Sequence, residues 1–267
     1  MDNHTANPLN VGLFSYFNSL PFWAAFQLGI IKPEAKISYD NPKALNGLFE
    51  KKALQLSMVS SLSYWKLRQQ SSPFLSFGIG ARKKVKSVLL ITRFALEKLS
   101  EKTIWLTHES ETSIALLQVL CSQIWNVAPH LQMMPEKTPP QDADAYLLIG
   151  NQALTHILPA GYEAIDLAEA WCKATQLPFI FGLFAIYHET LSAQNEKVIQ
   201  FEKDLQASYQ WSVNHREKLV TKAHEISGMP DAFLDEYLNT LDFVLTDEHY
   251  KGFNLFINLY EKYVQQK

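Results

Sequence analysis

The sequence predicts an α/β protein of two lobes, and three observations carry that reading. The first is the stretch VGLFSYFNSLPFWAAFQLG, in which an apolar run ends in a polar knot followed by a proline and a second apolar segment. Val11 to Phe17 has the length and aromatic content of a buried strand, and Pro21 suits the first turn of a helix, where a missing N–H costs nothing. The second is repetition: short apolar runs ending in polar tips, each handing over to a helical pattern, recur along the chain. The third is size. A chain of 267 residues, 47% hydrophobic and 19% charged, builds one large domain or two lobes of roughly 100–150 residues. The apolar strands Val85 to Thr92 and Phe179 to Tyr187 bracket its middle, where the chain crosses into a second lobe and returns. The lobes read as residues 1–90 with 190–267, and residues 91–189.

Each element has a local reason. Asn18 falls at the carboxyl end of the first strand, the edge where open α/β sheets bind ligands, although this stretch alone favours a plain N-cap role for Asn18 or Ser19. Lys36 to Tyr39 reads as a strand stopped by Asn41-Pro42, and Lys43 to Lys52 as a helix with Leu45, Leu48 and Phe49 on one face. Leu54 to Val59 is a strand running into the hydroxyl-rich Ser60-Ser61-Leu62-Ser63 and a helix through Leu67. Phe74 to Gly80 is a strand, then comes the basic turn Arg82-Lys83-Lys84, then the strand Val85 to Thr92 carrying Ser87. Phe94 to Leu99 is expected as a helix and Thr103 to Leu106 as a strand. Ser110, Thr112 and Ser113 open the helix IALLQVLCSQIW; hydroxyls there cap the helix and, with its free N–H groups, suit an anion. Glu109 and Glu111 count against an anion unless they point outward.

Pro135 to Gln141 reads as a loop. Asp144 to Ile149 is a strand ending in Gly150-Asn151, and Asp166 to Ala174 is a helix broken by Thr175-Gln176-Leu177-Pro178. From Ser192 the chain is helical, with Val198, Phe201, Leu205 and Tyr209 near core spacing, and a helix restarts after Pro230. The last helix places Phe253, Phe256, Ile257, Tyr260 and Val264 on one face, docking on the first lobe.

Several function classes are excluded by what the sequence lacks. A net charge of −3 argues against a nucleic-acid partner. Cys121 and Cys172 lie in apolar helical patterns and read as core residues. No phosphate-binding glycine loop, nucleophile elbow or metal-spaced Cys/His pair is present, so neither cofactor nor metal is expected. His108 is a lone candidate base whose ordinary reading is structural. The amino terminus MDNHTANPLN lacks signal-peptide character, and no apolar run spans a bilayer, so a cytoplasmic protein with no membrane partner is expected. Four polar strand ends remain, Asn18-Ser19, Ser60-Ser61, Ser110 to Ser113 and Gly150-Asn151, suited together to a small anion held by neutral donors.

These tips, in this order, resemble those of the menaquinone-biosynthesis chorismate dehydratase family of the futalosine pathway. The segments SYFNSLPF, MVSSLSY, KSVLLITR, SETSIALL, ADAYLLIGNQAL, DLAEAWCKATQLPFIFGLFA and YLNTLDF carry the resemblance across nearly the whole chain. The sister family that makes dihydroxynaphthoate begins with a different polar motif. The resemblance implies a two-lobed fold similar to type II periplasmic binding proteins, with the ligand in the cleft between lobes. It further implies a carbon–oxygen lyase that converts chorismate to 3-[(1-carboxyvinyl)oxy]benzoate without metal or organic cofactor. It places Asn18 at the catalytic position and Ser87 near the reacting ring, with Ser19, Ser60, Ser61, Ser110, Thr112, Ser113 and Asn151 binding substrate. Arg82, Lys83, Lys84 and Lys86 form a solvated basic turn, with steering of a dianion as the alternative reading. The chain departs from the family pattern at Asn151, commonly Asp; Glu111, commonly basic; Ser63, commonly Glu; and Gln176, commonly Gly. Two rival readings use the same fold: a cytosolic binding or sensor protein for a small carboxylate, and an enzyme acting on a related anion.

Overall fold

The computed structural model describes residues 8–136, 138–192 and 196–265. The amino-terminal reading therefore lies, for residues 1–7, outside the described residues, as do Lys137 of the Pro135–Gln141 loop and residues 193–195 of the helical run after Ser192. The chain is α/β, with eleven strands among the described residues in two sheets.

The opening stretch forms strand β1 (Asn10–Phe14), a 3-10 turn (Phe17–Ser19) and helix α1 (Leu20–Gln27), with Pro21 in its first turn. The strand stops three residues earlier than expected because the Phe14 carbonyl is taken by side chains: Ser19 Oγ donates to it at 2.6 Å and Trp23 Nε1 at 3.0 Å. Strand β2 (Lys36–Asp40) runs parallel to β1, and helix α2 (Pro42–Glu50) starts at Asn41, whose side chain accepts the Ala44 N–H at 3.0 Å. Strand β3 (Leu56–Ser60) is buried throughout, pairs parallel with β1 and passes into helix α3 (Ser61–Leu67), after which β4 (Ser71–Ala81) and β5 (Val88–Thr92) follow. The expected helix Phe94–Leu99 is only a 3-10 turn, Leu96–Lys98. Phe94 donates its N–H to Thr92 Oγ1 and Ala95 is extended, so no helix nucleates there.

Strand β6 (Thr103–Leu106) leads to helix α4 (Glu111–Val119), which ends in a π turn, Leu120–Ile124. Strand β7 (His130–Met133) was not expected: it is short, polar and largely exposed, so no apolar run marks it. Strand β8 (Ala145–Ile149) is wholly buried and is followed by α5 (Gly150–Thr155). The unexpected edge strand β9 (Glu163–Asp166) precedes helix α6 (Leu167–Thr175), which Asp166 caps rather than begins. Strand β10 (Phe179–Tyr187) lies where expected. The remainder is α7 (His188–Ser192), α8 (Glu196–Asn214), α9 (Arg216–Ser227), α10 (Asp231–Asn239), strand β11 (Asp242–Val244) and α11 (Asp247–Gln265).

One sheet has the order β11-β4-β10-β3-β1-β2 and the other β7-β6-β8-β5-β9. In the second, β6 runs parallel to both β7 and β8, whereas β5 is antiparallel to β8 and β9. The chain divides into two compact units. The first takes the described part of Met1–Val59 with Leu67–Leu75 and Leu183–Asp235; the second takes Ser60–Lys66, Ser76–Gly182 and the described part of Glu236–Lys267.

In the first unit α1 packs along α8, with the Phe22 ring 5.2 Å edge-on to Phe184 and 5.6 Å from Tyr209. Val198, Phe201 and Leu205 are buried as the spacing predicts. The second unit is centred on an edge-to-face cluster of Trp171, Phe179 and Phe256, the geometry that aromatic quadrupoles favour. The last helix contributes Phe253, Phe256 and Ile257 to this core, but its apolar stripe surfaces at Val264, which is 52% exposed. Its partners are α4, Trp171, Tyr64 and Trp65. Among the described residues no helix is long and apolar enough to cross a membrane.

Two backbone positions make testable demands. Gln176 ends α6 in the left-handed conformation (φ 59°), where glycine is least costly. Gln176→Gly is therefore expected to stabilise the protein by about 0.5–1 kcal/mol in urea unfolding. A Cβ on Gly252 would stand 2.0 Å from the Pro178 carbonyl oxygen. Gly252→Ala is expected to lower stability by about 3 kcal/mol, with a matching fall in the urea midpoint.

Candidate functional site

In the first unit the polar knot after β1 is built from within. Ser19 is fully buried, its hydroxyl placed to donate to the Phe14 and Tyr16 carbonyls, and it accepts the Trp23 indole N–H at 3.0 Å. The hydroxyl is thus committed to holding the turn. Its neighbour Asn18 is held in the 3-10 turn with its amide oxygen buried and without a hydrogen-bond partner among the described residues. An unmet acceptor of this kind costs about 1–3 kcal/mol.

The second unit gathers the other polar tips. Strands β6 and β8 are parallel, so α4 and α5 both begin at the same sheet edge, and β5, running the other way, begins there too. The antiparallel register sets Val88 opposite Ile149, and the Gly150 N–H closes the edge on the Ser87 carbonyl at 2.7 Å. Ser87 lies just before β5 rather than within a strand from Val85. The reason is Asp166: one carboxylate oxygen accepts the N–H groups of Val85 (3.0 Å) and Lys86 (2.7 Å), bending the chain so that Lys86 takes a φ of 58°. The other oxygen caps α6 by accepting from Ala168 and Glu169. Burial pushes the Asp166 carboxyl up from the ordinary aspartate value, against the pull of these four amides. The Ser87 side chain is fixed as well, its Oγ accepting the Tyr237 hydroxyl at 3.1 Å.

Ser110 caps α4 through the Ser113 N–H, and their hydroxyls meet at 3.0 Å. That leaves the amides of Glu111 and Thr112 without intrahelical partners. Thr112 Oγ1 accepts the Leu62 N–H at 3.0 Å, which joins the Ser60–Ser63 junction to this helix start. Ser60 and Ser63 share a hydrogen bond at 2.9 Å, while the Ser61 hydroxyl is buried without a partner among the described residues. Glu111 is turned outward onto Lys66, at 2.5 Å in an exposed pair. Asn151 is exposed in the first turn of α5. The second unit therefore brings together Ser60, Ser61, Ser87, Ser110, Thr112, Ser113 and the Gly150-Asn151 turn, and the first unit holds Asn18 and Ser19.

Other candidates take ordinary roles. His108 bonds the Met134 carbonyl through Nε2. Burial raises the Cys121 thiol to about 12 and Cys172 to about 11, which keeps both protonated. Most of the basic turn is neutralised in place: Arg82 meets Asp242 and Glu248, Lys84 meets Glu169, and Lys86 meets Glu236. Among the described residues no group of three or more His, Cys, Asp or Glu could hold a metal ion. Sequence reasoning missed Asp166 and Tyr237. The first carried a signal, an aspartate just ahead of an apolar helical run; the second stands in the segment YLNTLDF, but nothing local points to its partner, 150 residues away.

The fold is that of the periplasmic binding proteins. An Archaeoglobus fulgidus protein superposes with a TM-score of 0.74 at 17% identity, over 98% of this chain and 98% of that one. A Candida albicans gene product described as having the generic periplasmic binding protein fold gives 0.67 at 12%, over 97% and 95%. The alkanesulfonate-binding protein of Xanthomonas axonopodis pv. citri gives 0.64 at 14%, over 97% and 94%. The chain belongs to the menaquinone biosynthesis family, whose pattern it matches over residues 9–262. A relative from Thermus thermophilus, named chorismate dehydratase, is 29% identical over 199 residues, covering 68% of this chain and 71% of that protein.

Asp166 gives a pH-dependent prediction. Its folded-state pKa lies above the ordinary 3.8, so between the two values the native state keeps a proton that the unfolded chain has lost. Its contribution to stability therefore falls as pH rises through that window, and the penalty is absent below it. In Asp166→Asn this slope is expected to disappear from urea midpoints measured between about pH 3 and pH 7. The variant should also lose about 1–3 kcal/mol at neutral pH, because an amide cannot accept from all four N–H groups.

Proposed function

We propose that the protein is a chorismate dehydratase, a carbon–oxygen lyase that converts chorismate to 3-[(1-carboxyvinyl)oxy]benzoate and water in menaquinone biosynthesis. The observation that carries the reading is the neutral, hydroxyl-lined edge of the second unit. Serine and threonine hydroxyls and a helix start converge there, and Glu111, one of the two acidic residues that count against an anion, is drawn outward by Lys66. The relative named chorismate dehydratase supports it.

The reaction asks little of the protein in acid–base power. The hydrogen on the ring carbon bearing the enolpyruvyl ether is vinylogous to the ring carboxylate, so its removal gives a stabilised dienolate. Loss of the neighbouring hydroxyl, protonated to water, then aromatises the ring. Fixed donors on the ring carboxylate favour the dienolate by preorganised electrostatics, and orientation aligns the C–H bond with its base. The substrate's own enolpyruvyl carboxylate is that base. We assign Ser110, Thr112 and Ser113 to carboxylate binding, with Ser60, Ser61 and Asn151 as further contacts and Ser87 near the ring; Ser19 serves the site through the turn that holds Asn18. Asn18 offers its unpaired amide oxygen as the catalytic contact. We further propose that the protein works in the cytoplasm without metal or organic cofactor. The proposed lobes are residues 1–90 with 190–267, and residues 91–189; the compact units depart from them in grouping residues 60–66, 76–90 and 236–267 with the second unit and residues 183–189 with the first.

The test is incubation of purified protein with chorismate, following its loss and formation of the carboxyvinyloxybenzoate by mass spectrometry, alongside Asn18→Ala. Product is expected from wild type, with a rate about a hundredfold lower in the variant. Binding without turnover would make this a non-catalytic carboxylate-binding protein. Neither binding nor turnover would point to a related anion as substrate.

A further inference from the structure

We infer that Tyr237 is a positioning residue for this reaction, fixing the Ser87 hydroxyl as a donor toward the ligand; the inference rests on the dehydratase reading above. A serine oxygen carries one proton and two acceptor sites. The Tyr237 hydroxyl donates to Ser87 Oγ at 3.1 Å and so occupies one acceptor site. The serine's own proton must point elsewhere, and the hydrogen bonds of the described residues give it no acceptor. Ser87 is 2% exposed, so bulk water does not readily fill that role.

The geometry around the pair is fixed on every side. The Ser87 carbonyl is held by the Gly150 N–H, the two preceding amides are held by Asp166, and Lys86 is locked in a left-handed conformation. Tyr237 is fully buried on α10. Its neighbour Glu236 pairs with Lys86 at 2.7 Å, tying the same two segments a second time. A phenylalanine would fill the ring's space equally well, so Tyr237→Phe removes the bond to Ser87 while keeping the ring. Its consequence is directional: with one acceptor site taken and the backbone immobile, Ser87 donates to a carboxylate or developing enolate oxygen and does not act as a base.

Four proteins test this: wild type, Tyr237→Phe, Ser87→Ala and the double variant, each assayed for chorismate turnover with thermal unfolding as a check on folding. Tyr237→Phe is expected to lower kcat about tenfold with KM within about twofold, and to change nothing further in the Ser87→Ala background. Full kcat in Tyr237→Phe would overturn the inference while leaving the dehydratase reading intact. An equal drop in both backgrounds would also overturn it, because Tyr237 would then act independently of Ser87. Absence of turnover in wild type would remove the reading itself and the inference with it.

Discussion

The four hydrogen bonds to Asp166 are the constraint on which the polar edge of the second unit depends. One buried carboxylate holds the turn before β5 with one oxygen and the start of α6 with the other. Without those acceptors, the amides of Val85 and Lys86 would be left unmet where water scarcely reaches, and an unmet buried donor is costly. The carboxylate itself is stable as a charge only because four N–H dipoles point at it, and burial still raises its pKa. Through this one group a turn that would otherwise relax into strand is held bent, and Ser87 is delivered to the sheet edge.

That edge is a consequence of topology. Because β5 runs against β8, the beginning of one strand and the end of the other meet, and a serine preceding a strand joins polar groups that follow strands. The Leu62 to Thr112 bond adds a third segment, from the Ser60–Ser63 junction. What results is a set of neutral donors and free helix amides, an arrangement that stabilises negative charge without supplying a strong acid or base. The proposed reaction, in which the substrate brings its own carboxylates, would leave orientation as the protein's share.

Asn18 shows the same economy in the first unit. Ser19 and Trp23 consume the local carbonyls, which ends β1 and fixes the turn, and the Asn18 amide oxygen is left buried and unpaired. Folded proteins rarely tolerate such an atom without a use for it. The arrangement places strain-free backbone and an unmet polar atom side by side, with the cost confined to one side chain.

Much was determined by the sequence alone, wherever the cause is local. Apolar runs such as Phe179–Tyr187 and Thr103–Leu106 are strands because their side chains leave few other ways to be buried. Asn41, Ser110 and Pro21 mark helix starts by chemistry acting within a few residues. The polar tips follow the apolar runs in order for the same reason. Only the tertiary structure decided the direction of β5, the existence of the polar edge strands β7 and β9, the failure of a helix after Arg93, the outward turn of Glu111 and the pairing of Tyr237 with Ser87. Each of these depends on a partner distant in sequence or on a competing side-chain hydrogen bond. Neither leaves a periodic trace, because periodicity records only which face of an element is buried, not what it meets there.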